Sequence, residues 1–511
     1  MQFPPSTTRL LLNPQQQAAV EHTGSPLLIL AGAGSGKTRV LTSRIQHLLE
    51  SGLARPHQIM AVTFTNKAAG ELKERLADCA AGMLVGTFHS ICARILRQEI
   101  ENSDLGYDRN FVIFDDSEQS AVLKAALERL GLDDKVYPPK AILSQISRLK
   151  STAQTPDDFA RTAVTYQAQN VARLFTLYQD GLKRQNALDF DDLLLLAVKL
   201  FEKHPEVLER YRERFQHLLV DEYQDTNQTQ YRLVKLLGNE NLCVVGDVDQ
   251  SIYSFRAADF RIILQFQQDF PDARVITLEE NYRSTQTILD AANAVIEQNT
   301  ERYPKNLFTS NPKGEPLLLY CASDERMEAN WIVEQISRLR RDKYSLSDFA
   351  VLYRTNAQSR ALEEGFLRQG ISYRLVGGLR FYQRKEIKDI VAYLRLVFNP
   401  KDDAAFCRVV NVPRRGVGQT SIERIEEVAH AHQVSMMSAV SGLEVGLGPR
   451  QSKALEGFKD LILRLSTLDS ITEMLDRLLT ESGYLAELEA DRSVEGQARL
   501  ENVQELRSVA H

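Results

Sequence analysis

The chain has 511 residues, 43% apolar and 25% charged, with a formal net charge of −6. This describes an ordinary soluble globular protein and excludes a globally basic footprint, although a basic groove on an acidic body stays open. Five cysteines (Cys79, Cys92, Cys243, Cys321, Cys407) lie far apart without a C-x-x-C pair, which argues against a disulfide framework or a cysteine metal site.

A chain of this length predicts about three or four domains. Strand and helix signals alternate from the start: LLIL from Leu27, then a helix; IMAVTF at 59–64, then a helix over Lys67 to Leu76; MLVGTF at 83–88, then a helix over Ile91 to Ile100. Such alternation predicts a parallel sheet covered by helices. Between about 115 and 215 the period changes to that of helices, notably over Phe159 to Leu182 and Phe190 to Phe201, and reads as a helical insertion. Strands resume at 217–221, 242–246 and 274–278. A second α/β unit is expected from about 281, with strands at 316–321 and 348–353. From about 384 the pattern is helical again, around a loop NVPRRGVGQT at 411–420. No apolar run reaches membrane-spanning length and no signal pattern opens the chain, so a cytoplasmic protein without a membrane partner is expected.

The stretch LLILAGAGSGKT, from Leu27 to Thr38, is an apolar strand entering a glycine-rich loop that ends in Lys-Thr. Loop amides, here of Ala33, Gly34, Ser35 and Gly36, converge on phosphate oxygens. The helix N-terminus adds positive dipole and Lys37 a full charge. Thr38 is placed to offer its hydroxyl to a magnesium ion on the phosphates. Ala31 stands where the phosphate-loop pattern expects glycine, and Gly32, Gly34 and Gly36 still let the turn curl. HLLVDEYQD at 217–225 is a second strand, capped by adjacent carboxylates. Asp221 would hold the magnesium, and Glu222 would orient and deprotonate the attacking water. Loop and carboxylates together imply hydrolysis of a nucleoside triphosphate.

LNPQQQAAV, TFTNKAAGEL, VGTFHS, VDEYQDTN, VVGDVDQSIYSFR, LEENYRST and YRTNAQSR occur in that order. Their sequence closely resembles the UvrD/Rep/PcrA group of superfamily one DNA helicases. The resemblance implies two RecA-like parallel-sheet motor domains, the second incomplete here, each with a mainly helical insertion. The first motor domain would cover 1–90 and 215–280 and its insertion 91–214; the second would cover 281–378 and its insertion 379–511. ATP with Mg2+ is the implied cofactor, and 3′→5′ movement on single-stranded DNA the implied activity, in repair or replication. Implied partners are single strands, single-strand/duplex junctions and, beyond DNA, self-association or repair proteins.

Residue by residue, Gln16 resembles the glutamine that reads the adenine edge and Arg39 the residue lying against the base. Gln250 resembles the γ-phosphate sensor. Tyr282 resembles the residue stacked on adenine, and Arg283 the arginine reaching the γ-phosphate across the cleft. Asp247 and Asp249 read as loop-capping residues and are left out of the site. For DNA, stacking candidates are Phe64, Tyr253 and Phe255, the last standing where many relatives carry tryptophan. Thr63, Asn66, Thr87 and His89 fit phosphate or sugar contacts, with helix capping the bland reading of His89. Tyr353, Arg354 and Asn356 resemble strand-binding residues of the second unit. Arg414, Gly416 and Gly418 resemble the glycine-cornered duplex contact, and an ordinary helix–turn–helix connection carries the same pattern. The last two motifs of the family are not found before His511. The chain is therefore expected to be a truncated enzyme, or an ATP- and DNA-binding fragment without motor activity. Stacking on unpaired bases leaves RNA open as a substrate.

Overall fold

A computed structural model describes residues 12–510, apart from 77–78, 80, 254–256, 301, 342–343, 356–357, 377–383 and 492–493. Phe255 and Asn356 therefore lie outside the described residues. The chain forms two compact units, one made of the chain up to Gly314 with Tyr393–Thr467, the other of Glu315–Ala392 with Leu468 onward.

Among the described residues, the first unit is built on eight short strands: β1 (Leu27–Ala31), β2 (Ile59–Thr63), β3 (Leu84–Thr87), β4 (Val112–Ile113), β5 (Ala187–Leu188), β6 (His217–Val220), β7 (Leu242–Gly246) and β8 (Arg274–Leu278). Six of them make one parallel sheet in the order β3-β2-β6-β7-β1-β8. LLILA, IMAVT and LCVVG are continuous apolar runs with every residue buried, as a sheet covered on both faces demands. The edge strand β8 is only partly buried. Successive residues point to opposite faces. Leu28 and Leu30 thus join one core with helix α4 (Phe88–Glu99) and the helices Phe190–Lys203 and Gln228–Leu237. Leu27, Ile29 and Ala31 join the other, against α2 (Lys37–Glu50) and α3 (Asn66–Leu76). The expected strands at 27–30, 59–64, 83–88, 217–221, 242–246 and 274–278 all correspond to sheet members.

The expected helical region after 115 forms, with refinements. The run Phe159 to Leu182 is two helices, Pro156–Thr162 and Tyr166–Arg184, because Thr155 and Thr165 each cap a new N-terminus. Leu123, Leu127, Ile146, Leu174, Phe175 and Tyr178 give this region its own core. The helix Phe190–Lys203 instead packs into the core of the large sheet. The small parallel pair β4–β5 had no signal in the sequence.

Two expectations fail in the second unit. Neither 316–321 nor 348–353 forms a strand; among the described residues these segments join no ladder, and Leu317, Leu318, Leu319 and Leu352 are exposed. An apolar run pairs only where a neighbouring strand offers its backbone. Within this unit, helix Glu325–Arg341 packs on helix Ser359–Arg368 through Ala329, Val333, Ile336, Leu362 and Phe366. Residues 281–314 group with the first compact unit. No helix among the described residues is long and apolar enough to cross a membrane.

Candidate active site and nucleic-acid interface

Strand order decides which loops meet. The carboxyl ends of β6, β7, β1 and β8 lie side by side, and each carries one part of the expected phosphate machinery. After β1, the loop residues Gly34 and Gly36 adopt left-handed φ of 65° and 88°. Ser35 folds inward, its hydroxyl donating to the Gly32 carbonyl at 2.8 Å, and helix α2 starts at Lys37. Thr38 and Arg39 follow in its first turn. No alanine fits at Gly34, where a Cβ would stand 2.6 Å from Asn281 Nδ2 and 2.8 Å from Arg283 Cβ.

The Lys37 ammonium donates to Glu222 Oε2 at 2.9 Å and to Gln250 Oε1 at 3.0 Å. Gln250 Nε2 donates to Asp247 Oδ2 at 2.6 Å. The Asp247 amide donates to Gln224 Oε1 at 2.8 Å, and Gln224 Nε2 returns to Glu222 Oε2 at 2.8 Å. These five residues close a hydrogen-bonded ring over the ends of β1, β6 and β7. Glu222 has left-handed backbone (φ 50°), which turns its side chain out of the strand line. Asp221 is buried and accepts the Glu222 amide at 3.0 Å. Burial, and then the Glu222 charge, push its carboxyl up to about 6. Among the described residues there is no cluster of three or more acidic, histidine or cysteine side chains for a metal. A hydrated Mg2+ held by one carboxylate, a hydroxyl and the phosphates themselves fits this donor set.

After β8, the turn at Asn281 is strapped to the phosphate loop. Asn281 Nδ2 donates to the Ala33 carbonyl at 2.6 Å, and its Oδ1 accepts the amides of Arg283 and Ser284 at 2.8 and 2.7 Å. The Tyr282 amide donates to the Gly34 carbonyl at 3.0 Å. Tyr282 keeps an exposed ring, while its hydroxyl donates to Glu280 and accepts from Asn13. Arg283 is exposed beside the loop. Gln16 is buried in helix α1 (Pro14–Glu21), its amide engaged by the Ser35 carbonyl at 2.9 Å and the Asn13 amide at 3.1 Å. Asn13, Gln224 and Asn281 escaped the sequence reading; only Asn13, at a helix start three residues before Gln16, carried a local signal, that of a capping box.

The ends of β2 and β3 hold the other set. Phe64 and Tyr253 are half-buried with ring centroids 4.8 Å apart. Asn66 is exposed at the start of α3. His89, half-buried in the first turn of α4, sets its ring edge-on to Phe190 at 6.0 Å. Phe190, at the start of its helix, is 52% exposed and was not among the aromatic candidates expected from the sequence. Thr63 and Thr87 are buried and their hydroxyls serve their own turns, Thr63 toward the Thr65 carbonyl and Thr87 as the cap of α4. Arg414, Gly416 and Gly418 are exposed around the buried Val417, at the start of helix Gln419–His432. Arg415 is a structural residue: its guanidinium holds the Val409 and Val412 carbonyls at 3.1 and 3.0 Å and lies over the Phe458 ring. Tyr353 and Arg354 belong to the second unit.

Residues 12–271 match the UvrD/REP helicase N-terminal domain and 276–459 the UvrD-like helicase C-terminal domain. The chain is 48% identical over 509 residues to the ATP-dependent DNA helicase PcrA of Bacillus subtilis, covering 98% of this chain and 69% of the relative. It is 46% identical over 508 residues to the protein of the same name in Staphylococcus aureus, with the same coverage. The expected truncation is not supported, because the C-terminal domain is matched. This chain belongs to the UvrD/REP helicase family.

Proposed function

We propose that this protein is an ATP-dependent DNA helicase that hydrolyses ATP as it moves 3′→5′ along single-stranded DNA. One observation carries the reading: Lys37, Glu222 and Gln250, from three different strand ends, meet within hydrogen-bond distance beside the Arg283 turn. The phosphate-loop amides and Lys37 bind the triphosphate, Glu222 takes a proton from the attacking water, and Gln250 contacts the terminal phosphate. Arg283 adds charge as that group leaves. Thr38 and Asp221 would hold Mg2+, which would supply charge to screen the phosphates. Tyr282 offers its open ring to the adenine. Arg39 is assigned to the base as well, and Gln16 reaches the adenine edge once its amide turns from Ser35.

Phe64, Tyr253 and Phe190 form the aromatic platform for unpaired bases, with Asn66 and His89 beside it. Arg414 and the exposed glycine corner at Gly416 and Gly418 suit a duplex phosphate. Tyr353 and Arg354 are the second unit's contacts with the strand. The proposed working place is the cytoplasm, in repair or replication, with division into two motor domains near 281 and helical insertions over 91–214 and 379–511. The decisive experiment is steady-state ATP hydrolysis with and without oligonucleotide, paired with unwinding of duplexes bearing a 3′ or a 5′ tail. Hydrolysis stimulated by DNA and unwinding only from the 3′ tail is the expected result. A second reading, a nucleotide- and DNA-binding module without motor activity, draws on the unpaired segments 316–321 and 348–353. It predicts binding of both ligands with no turnover.

A further inference from the structure

A second, buried set of charges adjoins the Lys37 ring at Asp247, and the proposed mechanism leaves it unused. Lys305 is 8% exposed. Its ammonium pairs with Asp247 and, at 2.9 Å, with Asp249 Oδ2. Arg302 donates to the same Asp249 oxygen at 2.9 Å and to the Lys305 carbonyl at 3.0 Å. The Asp249 amide donates to Asp247 Oδ1 at 3.1 Å. Two cations and two carboxylates thus balance out of water, where removing one partner strands a charge. Asp247 is the shared member: one carboxylate oxygen meets Lys305 and the other accepts Gln250 Nε2.

We infer that Lys305 is a positioning residue for ATP hydrolysis, acting through Asp247 to fix the Gln250 amide. In the ring described above, Lys37 and Asp247 hold opposite ends of that amide. When Lys37 turns to a triphosphate, only the Asp247 end remains, and Lys305 determines where Asp247 stands. The segment bearing Lys305 is itself anchored. Phe308 exchanges backbone hydrogen bonds with Glu279 and Asn281, and the Leu307 carbonyl accepts Asn293 Nδ2 at 2.9 Å. The Leu307 side chain fills the space a Cβ would need at Gly32. One strap therefore touches the phosphate loop and holds the Gln250 loop. The inference rests on the proposed ATP hydrolysis.

Lys305→Met alone leaves an uncompensated buried carboxylate, so the main test uses Lys305→Met/Asp249→Asn, which removes one charge of each sign and leaves one cation, Arg302, and one carboxylate, Asp247. With saturating single-stranded DNA, its kcat should fall about tenfold to a hundredfold, the scale expected when a reacting group is misplaced. Affinity for a fluorescent ADP analogue should stay within about twofold, and Lys305→Arg should retain most of the activity. In a Gln250→Ala background the same pair of changes should have no further effect on kcat. An unchanged kcat in the folded double variant, or an equal further loss in the Gln250→Ala background, would overturn the inference. Should the wild-type protein not hydrolyse ATP, the proposed function falls by itself. A crystal structure of the double variant then decides this point: Gln250 displaced from Asp247 supports the positioning role, and Gln250 unmoved refutes it.

Discussion

Lys37 Nζ lies 2.9 Å from Glu222 Oε2, so the cation expected to meet the terminal phosphate is held by the carboxylate expected to activate water. Binding of a triphosphate has to break this contact. Glu222 side-chain exposure is 34%, and an ion pair so open to solvent contributes at most about 1 kcal/mol. Glu222→Gln should therefore bind an ATP analogue slightly more tightly, by up to about fivefold. Its kcat should fall by about 10²–10⁴. Equilibrium titration and single-turnover hydrolysis on the same preparation measure both; weakened binding with normal turnover would reverse the assignment.

Asn281 makes a further prediction that motif reading alone does not. Its side chain joins the Ala33 carbonyl to the amides of Arg283 and Ser284, fixing the arginine turn to the phosphate loop. An arginine at a transferring phosphoryl group is worth about 10³–10⁵ in turnover, and a misplacement of ~1 Å sacrifices about 10²-fold. Asn281→Ala should lower kcat by roughly that factor while the protein remains folded. Asn281→Asp retains the acceptor for the two amides and loses the donor to Ala33, so it should fall between wild type and alanine.

The aromatic platform predicts an effect confined to DNA. Each stacked base contributes about 1–3 kcal/mol, so Phe64→Ala and Phe190→Ala should each weaken single-strand affinity by about five- to a hundredfold. Fluorescence anisotropy with a labelled oligonucleotide reads this directly. Nucleotide affinity without DNA should not move, because Phe64 follows β2 and Phe190 packs on His89 after β3, while the phosphate loop follows β1 on the far side of β6 and β7. If Phe190→Ala leaves DNA affinity unchanged, its exposed ring is incidental to the platform.

Much of this architecture was legible because its signals are local. A strand buried on both faces is a continuous apolar run, and the phosphate loop follows its strand within a few residues, so Lys37, Asp221 and Glu222 were readable before any tertiary contact. Asn281, Gln224 and Lys305 were not. Each is an unremarkable polar residue whose partners are set by the strand order β6-β7-β1-β8, and sequence order does not reveal that arrangement. Phe190 was hidden for the opposite reason, since its helix is apolar enough to absorb it into a core stripe. The hydroxyls of Thr63 and Thr87 serve their own turns, a local use that motif membership conceals. At 316–321 and 348–353 the apolar pattern records a capacity for pairing and says nothing about a partner.

Charge buried away from the site gives the last prediction. The Lys150 ammonium is fully buried between Asp189 at 2.6 Å and Asp192 at 2.7 Å, fastening helix Pro139–Ser151 to the start of helix Phe190–Lys203. Lys150→Met leaves these carboxylates without a cation and should destabilise by about 3–5 kcal/mol. At the neighbouring Asp191, burial first, and then the Asp189 charge, raise the carboxyl to about 7 against the opposing pull of Ser147 and Lys150. Its folded value exceeds the ordinary 3.8 of the unfolded chain, so the folded state binds the extra proton between about pH 4 and 7. Stability must then fall as pH rises through that window. Asp191→Asn removes the ionisation and should raise the melting temperature at pH 7.5, with the gain shrinking to nothing near pH 4. A gain that is constant with pH, or that grows toward acid, would place the charge cost on another group of the cluster.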